Sequence, residues 1–423
     1  MSQQGPILVV STVRRPSFAS ALDLASLFPI VETPWTDAAR AVEQVQPTAV
    51  LVATSDIDEA GFAALATPIA THQPYLPLIA VDPQIPLPEN AIPFFQSQVL
   101  QSQVLQSQVL QIQGGSHRLA ARLRAALRVR TLHATVMRRL VPSAPIVLSH
   151  IDPARDATVL LVGRGNAYPT LSVSLGERTG VVGALSIEAA AKHLNTRDID
   201  GIVVAEGFSA RVVDAFLTVL TEDARFRNLP VVVTGSDLAP EYDLPNLEII
   251  SGEPAQVVAT ALPLIRQHAF EAHLSRTLKA IDAEGLIDAR TGLLTLEAFE
   301  RDFASAVYQT QQRDGGLSVA RFAFDPEHPR AQFDGARIIS RLMRQMDFGA
   351  IQEDGSVVVV FAESDLKTAH AIARRLSSVM RHTSHGKREA RSEPTVTVAT
   401  LLPNDSAKSL RSRLEAEAQR AAS

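Results

Sequence analysis

Arg344-Gln-Met-Asp347-Phe-Gly-Ala-Ile-Gln-Glu353-Asp354-Gly355-Ser356-Val357, running on into Val358-Val-Val-Phe361, is the stretch on which the reading of the C-terminal third turns. An Arg-x-x-Asp pair precedes five spacer residues, then the turn Glu353-Asp354-Gly355-Ser356-Val357, then an apolar strand. Around it the pattern predicts a strand from Leu317 to Phe324, helices through Arg337 to Met346 and Leu366 to Met380, and a strand from Thr395 to Thr400. Upstream lie Asp288-Ala-Arg-Thr-Gly-Leu293 and a helix from Leu296 to Gln311. Antiparallel strand pairs with helices on one face would give an α+β sandwich.

The rest of the chain alternates short apolar runs with helical patterns. Ile7 to Val10, Pro29 to Val31, Ala49 to Ala53 and Leu78 to Val81 read as buried parallel strands, with helices at Ala38 to Val45 and Glu59 to Thr71. The pattern restarts with strands at Thr158 to Val162, Gly180 to Ala184, Gly201 to Ala205, Pro230 to Thr234 and Leu247 to Ile250, and helices at Ile187 to Leu194 and Val212 to Leu220. Two copies of one (βα)5 unit, each a doubly wound sheet, account for this order. A long helix from Ala255 to Ala283 leads into the C-terminal region, with hinges at Pro142-Ser-Ala-Pro145 and near Gly285. The expected domains are therefore 1–142, 143–275 and 276–423.

Between the copies, Leu119, Leu123, Leu127, Leu132 and Val136 form an apolar stripe on a helix whose other faces carry Arg. Such a helix packs on its own sheet with a solvated basic face, or it forms a dimer or interdomain seam. No aromatic residue is interleaved for base stacking, which argues against nucleic acid. Gln-Ser-Gln-Val-Leu repeats in tandem over residues 96–110. A period that fits neither helix nor strand reads as an expanded surface loop without assigned function.

With 423 residues, 46% of them apolar, the chain is long enough for two to four domains. A net charge of −5 gives no global attraction to nucleic acid or anionic membrane. The absence of Cys excludes disulfides, thiolate metal sites and Cys nucleophiles. The start of the chain has no basic segment before its short apolar run, and a cytoplasmic location is expected.

The C-terminal region resembles GGDEF domains. Asp288-Ala-Arg-Thr-Gly-Leu293 matches the family's opening Asp-x-Leu-Thr-Gly-Leu except at Arg290, and the turn at Glu353 to Val357 stands where the family reads Gly-Gly-Asp/Glu-Glu-Phe. The two copies before it resemble response-regulator receivers, so that the whole order resembles PleD-type proteins, receiver, receiver, GGDEF. The expected fold is thus α/β and α+β: two flavodoxin-like (βα)5 receiver-like domains, then a GGDEF-like nucleotidyl-cyclase α+β domain.

The resemblance also marks departures. Receivers hold Mg²⁺ on acidic residues and phosphate on an Asp; those places carry Ser11-Thr12 and Ala53-Thr54 in the first copy, and Gly163-Arg164 and Ala205 in the second, with Glu206 beside it. In the GGDEF-like region the two metal carboxylates correspond to Ala323 and Gly355, only Asp325 of the first pair survives, and Glu353, Asp354 and Ser356 replace the remaining signature residues. The family's reaction joins two GTP molecules on metal ions held by those carboxylates, so the resemblance implies a catalytically inactive homologue with no metal and no cofactor.

In active relatives, Arg and Asp at the positions of Arg344 and Asp347 bind cyclic di-GMP as an inhibitory ligand, and an Arg fork with an Asp acceptor suits a guanine edge. Arg-x-x-Asp also occurs at Arg197-Asp200 and Arg211-Asp214, where a local ion pair is its ordinary meaning. Register relative to the turn sets Arg344-Asp347 apart, and Arg341, Arg374 and Arg375 are candidates for further contacts. The leading expectation is a non-catalytic signalling scaffold that binds cyclic di-GMP, with the receiver-like domains forming a homodimer or docking other signalling proteins. The alternatives are a nucleotide-independent interaction scaffold and a weakly active diguanylate cyclase.

Overall fold

In a computed structural model of the chain, the structure describes residues 5–24, 28–54, 59–95, 108–140, 152–235, 238, 242–312, 316–327, 329–380, 383–384 and 393–422. Contacts group the chain into two compact units. One comprises Met1–Arg139, Leu161–Ser174 and Asp200–Leu274; the other comprises Leu140–Leu160, Leu175–Ile199 and Ser275–Ser423. The units interleave stretches, whereas the sequence repeats are consecutive. Among the described residues no helix is long and apolar enough to cross a membrane.

The first repeat runs β1 (Ile7–Val10), α1 (Ser17–Leu24), β2 (Ile30–Thr33), α2 (Ala38–Val45), β3 (Ala49–Ala53), α3 (Glu59–Ala70), β4 (Leu78–Val81) and β5 (Ala91–Phe94), followed by α4 (Gln108–Arg139). Strand order is β2-β1-β3-β4-β5, with Ile7 level with Ile30 and Ala49, and Leu78 level with Val50 and Ala91. All these pairs are parallel, which requires crossover connections, and the order is that of flavodoxin-like sheets. A parallel sheet buries both faces, so Ile7, Leu8, Val9 and Val10 are all inaccessible to solvent.

The second repeat is β6 (Thr158–Val162), α5 (Tyr168–Gly176), β7 (Gly180–Ala184), α6 (Ile187–Thr196), β8 (Gly201–Val204), α7 (Ala210–Glu222), β9 (Val231–Thr234), β10 (Leu247–Ile250) and α8 (Pro254–Asp282). Its strand order, β7-β6-β8-β9-β10, repeats that of the first. In the two repeats the sequence pattern sets no bounds for α1, for the fifth strand β5, for α5 or for the first turns of α4. The helix α5 is Tyr-Pro-Thr-Leu-Ser-Val-Ser-Leu-Gly, rich in residues of low helical propensity, which hid it. Residues 96–107, most of the pentapeptide repeat, lie outside the described residues; the last three, Gln108 to Leu110, are helical and correct the expectation of a loop.

The C-terminal region contains α9 (Leu296–Gln312), β11 (Leu317–Ala323), α10 (Pro329–Leu342), β12 (Phe348–Ile351), β13 (Val357–Ala362), α11 (Leu366–Met380), β14 (Thr383–Ser384), β15 (Thr395–Thr400) and α12 (Ala407–Ala422). An antiparallel sheet of order β12-β13-β11-β15 forms from it, while the two-residue β14 pairs with β7.

Helices on a single face do not describe this sheet. Val357, Val359 and Phe361 share one core with Ile339 of α10 and with Ile372 and Leu376 of α11. Val358 and Val360 share another with Phe299 and Phe303 of α9 and Leu410 and Leu414 of α12. The reason is local: alternate residues of a strand point to opposite faces, and β13 is apolar at both sets. Phe361→Ala on one face and Phe299→Ala on the other are each expected to cost about 3–5 kcal/mol in urea denaturation. A sheet covered on one side would make the second change cheap.

Candidate functional site

The signature turn closes the hairpin of β12 and β13, whose register sets Ile351 opposite Val357. Gln352 N donates to Ser356 O at 2.8 Å and Gly355 N to Gln352 O at 2.9 Å. Gly355 has φ +78°, and a Cβ there would stand 2.6 Å from Gln332 Oε1, so backbone and packing both call for glycine. Asp354 Oδ1 accepts from Ser356 N at 2.9 Å and Ser356 Oγ at 2.6 Å, and Arg321 Nη2 donates to Oδ2 at 2.6 Å. Burial alone would raise the Asp354 carboxyl; the Ser356 bonds and the Arg321 ion pair outweigh it and bring it down to about 2. Glu353 is exposed, while Ser356 and Val357 are buried.

The adjoining pair of β11 and β13 sets Phe322 opposite Val357. Ala323 is the last residue of β11, one past Phe322, and Gly355 lies two residues before Val357. Ala323 and Gly355, expected from the resemblance to stand where the family has metal carboxylates, offer a methyl group and a hydrogen as side chains. Asp325 Oδ1 accepts from Glu327 N at 2.9 Å in the turn that follows. Among the described residues no three His, Asp or Glu side chains gather as a metal-binding group.

The opening motif folds around Asp288. Its Oδ1 accepts from Arg290 N at 2.7 Å, Thr291 N at 2.9 Å and Thr291 Oγ1 at 3.2 Å, and buried Leu293 joins the α10–α11 core. Arg290, the departure from the family pattern, forms a fork on Asp156, with Nη2 to Oδ1 at 2.8 Å and Nε to Oδ2 at 2.9 Å. Arg337 Nη1 donates to Asp156 O at 2.7 Å and its Nε to Arg290 O at 3.0 Å. Burial pushes the Asp156 carboxyl up, but Arg290, Arg337 and Arg330 outweigh it and hold it below the ordinary carboxylate range. Sequence reasoning missed Asp156, which carries no motif and lies 134 residues from its partner.

The Arg-x-x-Asp pair sits differently from expectation. Helix α10 stops at Leu342, so Arg344 to Asp347 is a turn leading into β12 and not the end of a helix. Asp347 N donates to Arg344 O at 3.0 Å. Its carboxylate accepts from Arg344 N at 3.3 Å and from Ala362 N at 3.2 Å, tying the turn to the end of β13. Asp347 is only 7% exposed, and burial raises its carboxyl despite those bonds and the charges of Arg344 and Arg375.

The guanidinium groups around this turn divide into two kinds. Arg341 is engaged, its Nη1 donating to Arg197 O at 2.7 Å and to Asp198 Oδ1 at 2.5 Å. The exposed side chains of Arg344, Arg374 and Arg375 have no hydrogen-bond or ion-pair partner among the described residues. The charges of Arg344 and Arg375 both act to lower the Asp347 carboxyl, against the larger effect of its burial.

Just after β3 in the first repeat, buried Thr54 accepts from Gln84 N at 3.2 Å. In the second, Arg164 N and Gly165 N both donate to Glu206 O at 3.1 Å, and a Cβ on Gly163 would lie 2.7 Å from the Ala205 Cβ. The loop following β6 therefore lies directly on the loop following β8, with the exposed Glu206 at the contact.

Asp347→Ala removes the acceptor of two backbone donors and is expected to cost about 1–3 kcal/mol in chemical denaturation. Asp354 has its pKa lowered by folding, so its contribution exists above the ordinary carboxylate pKa of about 4 and fades as pH falls toward the folded value. The stability difference between wild type and Asp354→Ala is accordingly expected to be no more than about 1 kcal/mol at neutral pH, this pair being half exposed, and to vanish in acid melts.

No protein-family model matches the chain, and neither does any curated protein. Solved structures that it resembles are GGDEF domains. One is the coiled coil and GGDEF domain of DgcB from Caulobacter crescentus in complex with c-di-GMP, at 16% identity and TM-score 0.27, covering 34% of this chain and 83% of that one. Others are the GGDEF domain of FimX from Pseudomonas aeruginosa, at 18% identity and TM-score 0.29, covering 32% and 93%, and a sensory box/GGDEF family protein from Caulobacter crescentus, at 20% identity and TM-score 0.28, covering 32% and 97%.

Proposed function

We propose that the chain is a non-catalytic signalling protein in which two receiver-like repeats precede a degenerate GGDEF-like module that binds cyclic di-GMP at the Arg344–Asp347 turn. The observation that carries this reading is the pair of exposed guanidinium groups of Arg344 and Arg375, neither hydrogen-bonded among the described residues, whose charges both act on the buried Asp347 carboxyl. Two forks of this kind suit a ligand with two phosphates and two guanine edges, since Arg pairs with phosphate oxygens or with guanine O6 and N7. A carboxylate has about four lone-pair sites, and the two backbone bonds of Asp347 leave capacity for a guanine N–H. Its larger task is to hold the turn that presents Arg344.

Donor chemistry supports the absence of turnover. Transfer of a nucleotidyl group on metal ions needs oxygen ligands, and Ala323 and Gly355 offer none from their side chains. The neighbouring Asp354 spends its oxygens on Ser356 and Arg321. Ser11, Thr54, Gly163 and Ala205 likewise provide no carboxylate cluster for Mg²⁺ and no Asp for phosphate in either repeat.

A nucleotide-independent scaffold is the second reading, and the backbone bonds of Asp347 favour it, because they give the Arg-x-x-Asp element a purely structural task. Titration calorimetry with cyclic di-GMP separates the two. Wild type is expected to bind, with Arg344→Ala weakening affinity by about tenfold or more, as loss of a charge-assisted fork worth roughly 1.5–3 kcal/mol implies. Absence of heat from wild type, or equal affinity in the variant, leaves the scaffold.

A further inference from the structure

The long helix after each repeat reaches into the other repeat. From α4, Arg122 is fully buried and donates to Glu248 Oε1 of β10 at 2.8 Å, to Pro245 O at 2.6 Å and to Pro93 O of β5 at 2.9 Å. One turn earlier, Arg118 donates to Leu247 O at 3.0 Å, with Glu248 Oε2 3.6 Å away. From α8, Arg266 reaches back to the residue pair ahead of β5, donating to Glu89 O at 2.7 Å and Glu89 Oε2 at 2.9 Å. The helices also meet directly. Arg128 Nε donates to Glu271 Oε1 at 2.7 Å, and Phe270 packs edge-on against His133 of α4 at 5.3 Å and Tyr75 at 5.6 Å.

This exchange is reciprocal: α4 serves the last strand of the second repeat, and α8 serves the approach to the last strand of the first. Reciprocity of that kind marks an interface about a two-fold axis, where patch i meets j and j meets i. Here the two patches belong to equivalent places in two repeats of one chain. The buried Arg122–Glu248 pair adds specificity, because any other partner for either face would leave a charge uncompensated away from water.

We propose that the α4–β5 face and the α8–β10 face form one pairing surface whose partner is the other repeat of the same chain. The chain thus carries a pseudo-dimer in cis, and a second copy can take this surface only by displacing one half of it. The solvated basic face considered for the Arg-rich helix does not hold at Arg122. Arg118 and Arg128 are likewise engaged in the pairing.

The chain has no cysteine, so thiol reagents address introduced positions alone. Full-length Arg128→Cys/Glu271→Cys, treated with a short bis-maleimide, is expected to give an internally bridged chain of single-chain mass, in a yield independent of dilution. A mixture of the two single variants is expected to give no bridged product. Bridging chiefly to twice the chain mass, or efficient bridging in the mixture, would show pairing between copies and overturn the proposal; so would failure of a folded double variant to bridge. If that variant does not fold, hydrogen exchange decides. Arg122→Ala is expected to deprotect α4 and β10 together, and loss of protection confined to α4 would falsify the cis pairing.

Discussion

Val357-Val-Val-Val-Phe361 has no polar face, and a strand without one must be covered from both sides. That requirement organises everything around the candidate site. It recruits α10 and α11 to one side and α9 and α12 to the other, and it buries the hairpin end at which Ser356 and Val357 sit. With β13 fixed, its first residues set the turn and its last residue, Ala362, donates to Asp347. The presentation of Arg344 to solvent therefore descends from the burial of β13, through the bond that Ala362 gives to Asp347.

Much of this was legible. Continuous apolar runs located most strands of the two repeats, and β1, β3, β4, β6, β7 and β10 lie where the pattern put them. The spacing from Arg344 to the turn correctly separated a five-residue spacer from a strand, but it did not show that Phe348 to Ile351 is itself a strand. Phe-Gly-Ala-Ile is short and carries a glycine, so neither period nor propensity marks it; its pairing with β13 does. The single-face sandwich was the clearer miss, and the clue was present in β13, where a one-sided sheet would have alternated with polar residues.

The arginines show where sequence reading runs out. Arg122, Arg290, Arg341, Arg344 and Arg375 look alike as letters on helical or loop segments. Folding commits the first three to Glu248, Asp156 and Asp198, and leaves the other two exposed. Each of those acids lies more than one hundred residues from its arginine, as the separations of 126, 134 and 143 show. No local rule can foresee them. The same tertiary pairing separates structural cations, whose loss strands a carboxylate, from cations left exposed to solvent.

The interleaving of the compact units carries a kinetic consequence. The stretch Asp200–Leu274 groups with the first residues of the chain, while Leu175–Ile199, just before it, groups with the last. A nascent chain emerges at about 5–20 residues per second, N-terminus first, and domains made of consecutive residues can settle as they appear. The second unit cannot, because the carboxylate of Asp156 is made long before the guanidinium of Arg290 that it receives. Such long-range closure slows folding relative to local contacts. During that interval α6 waits for α10, the C-terminal helix it packs against, still unsynthesised.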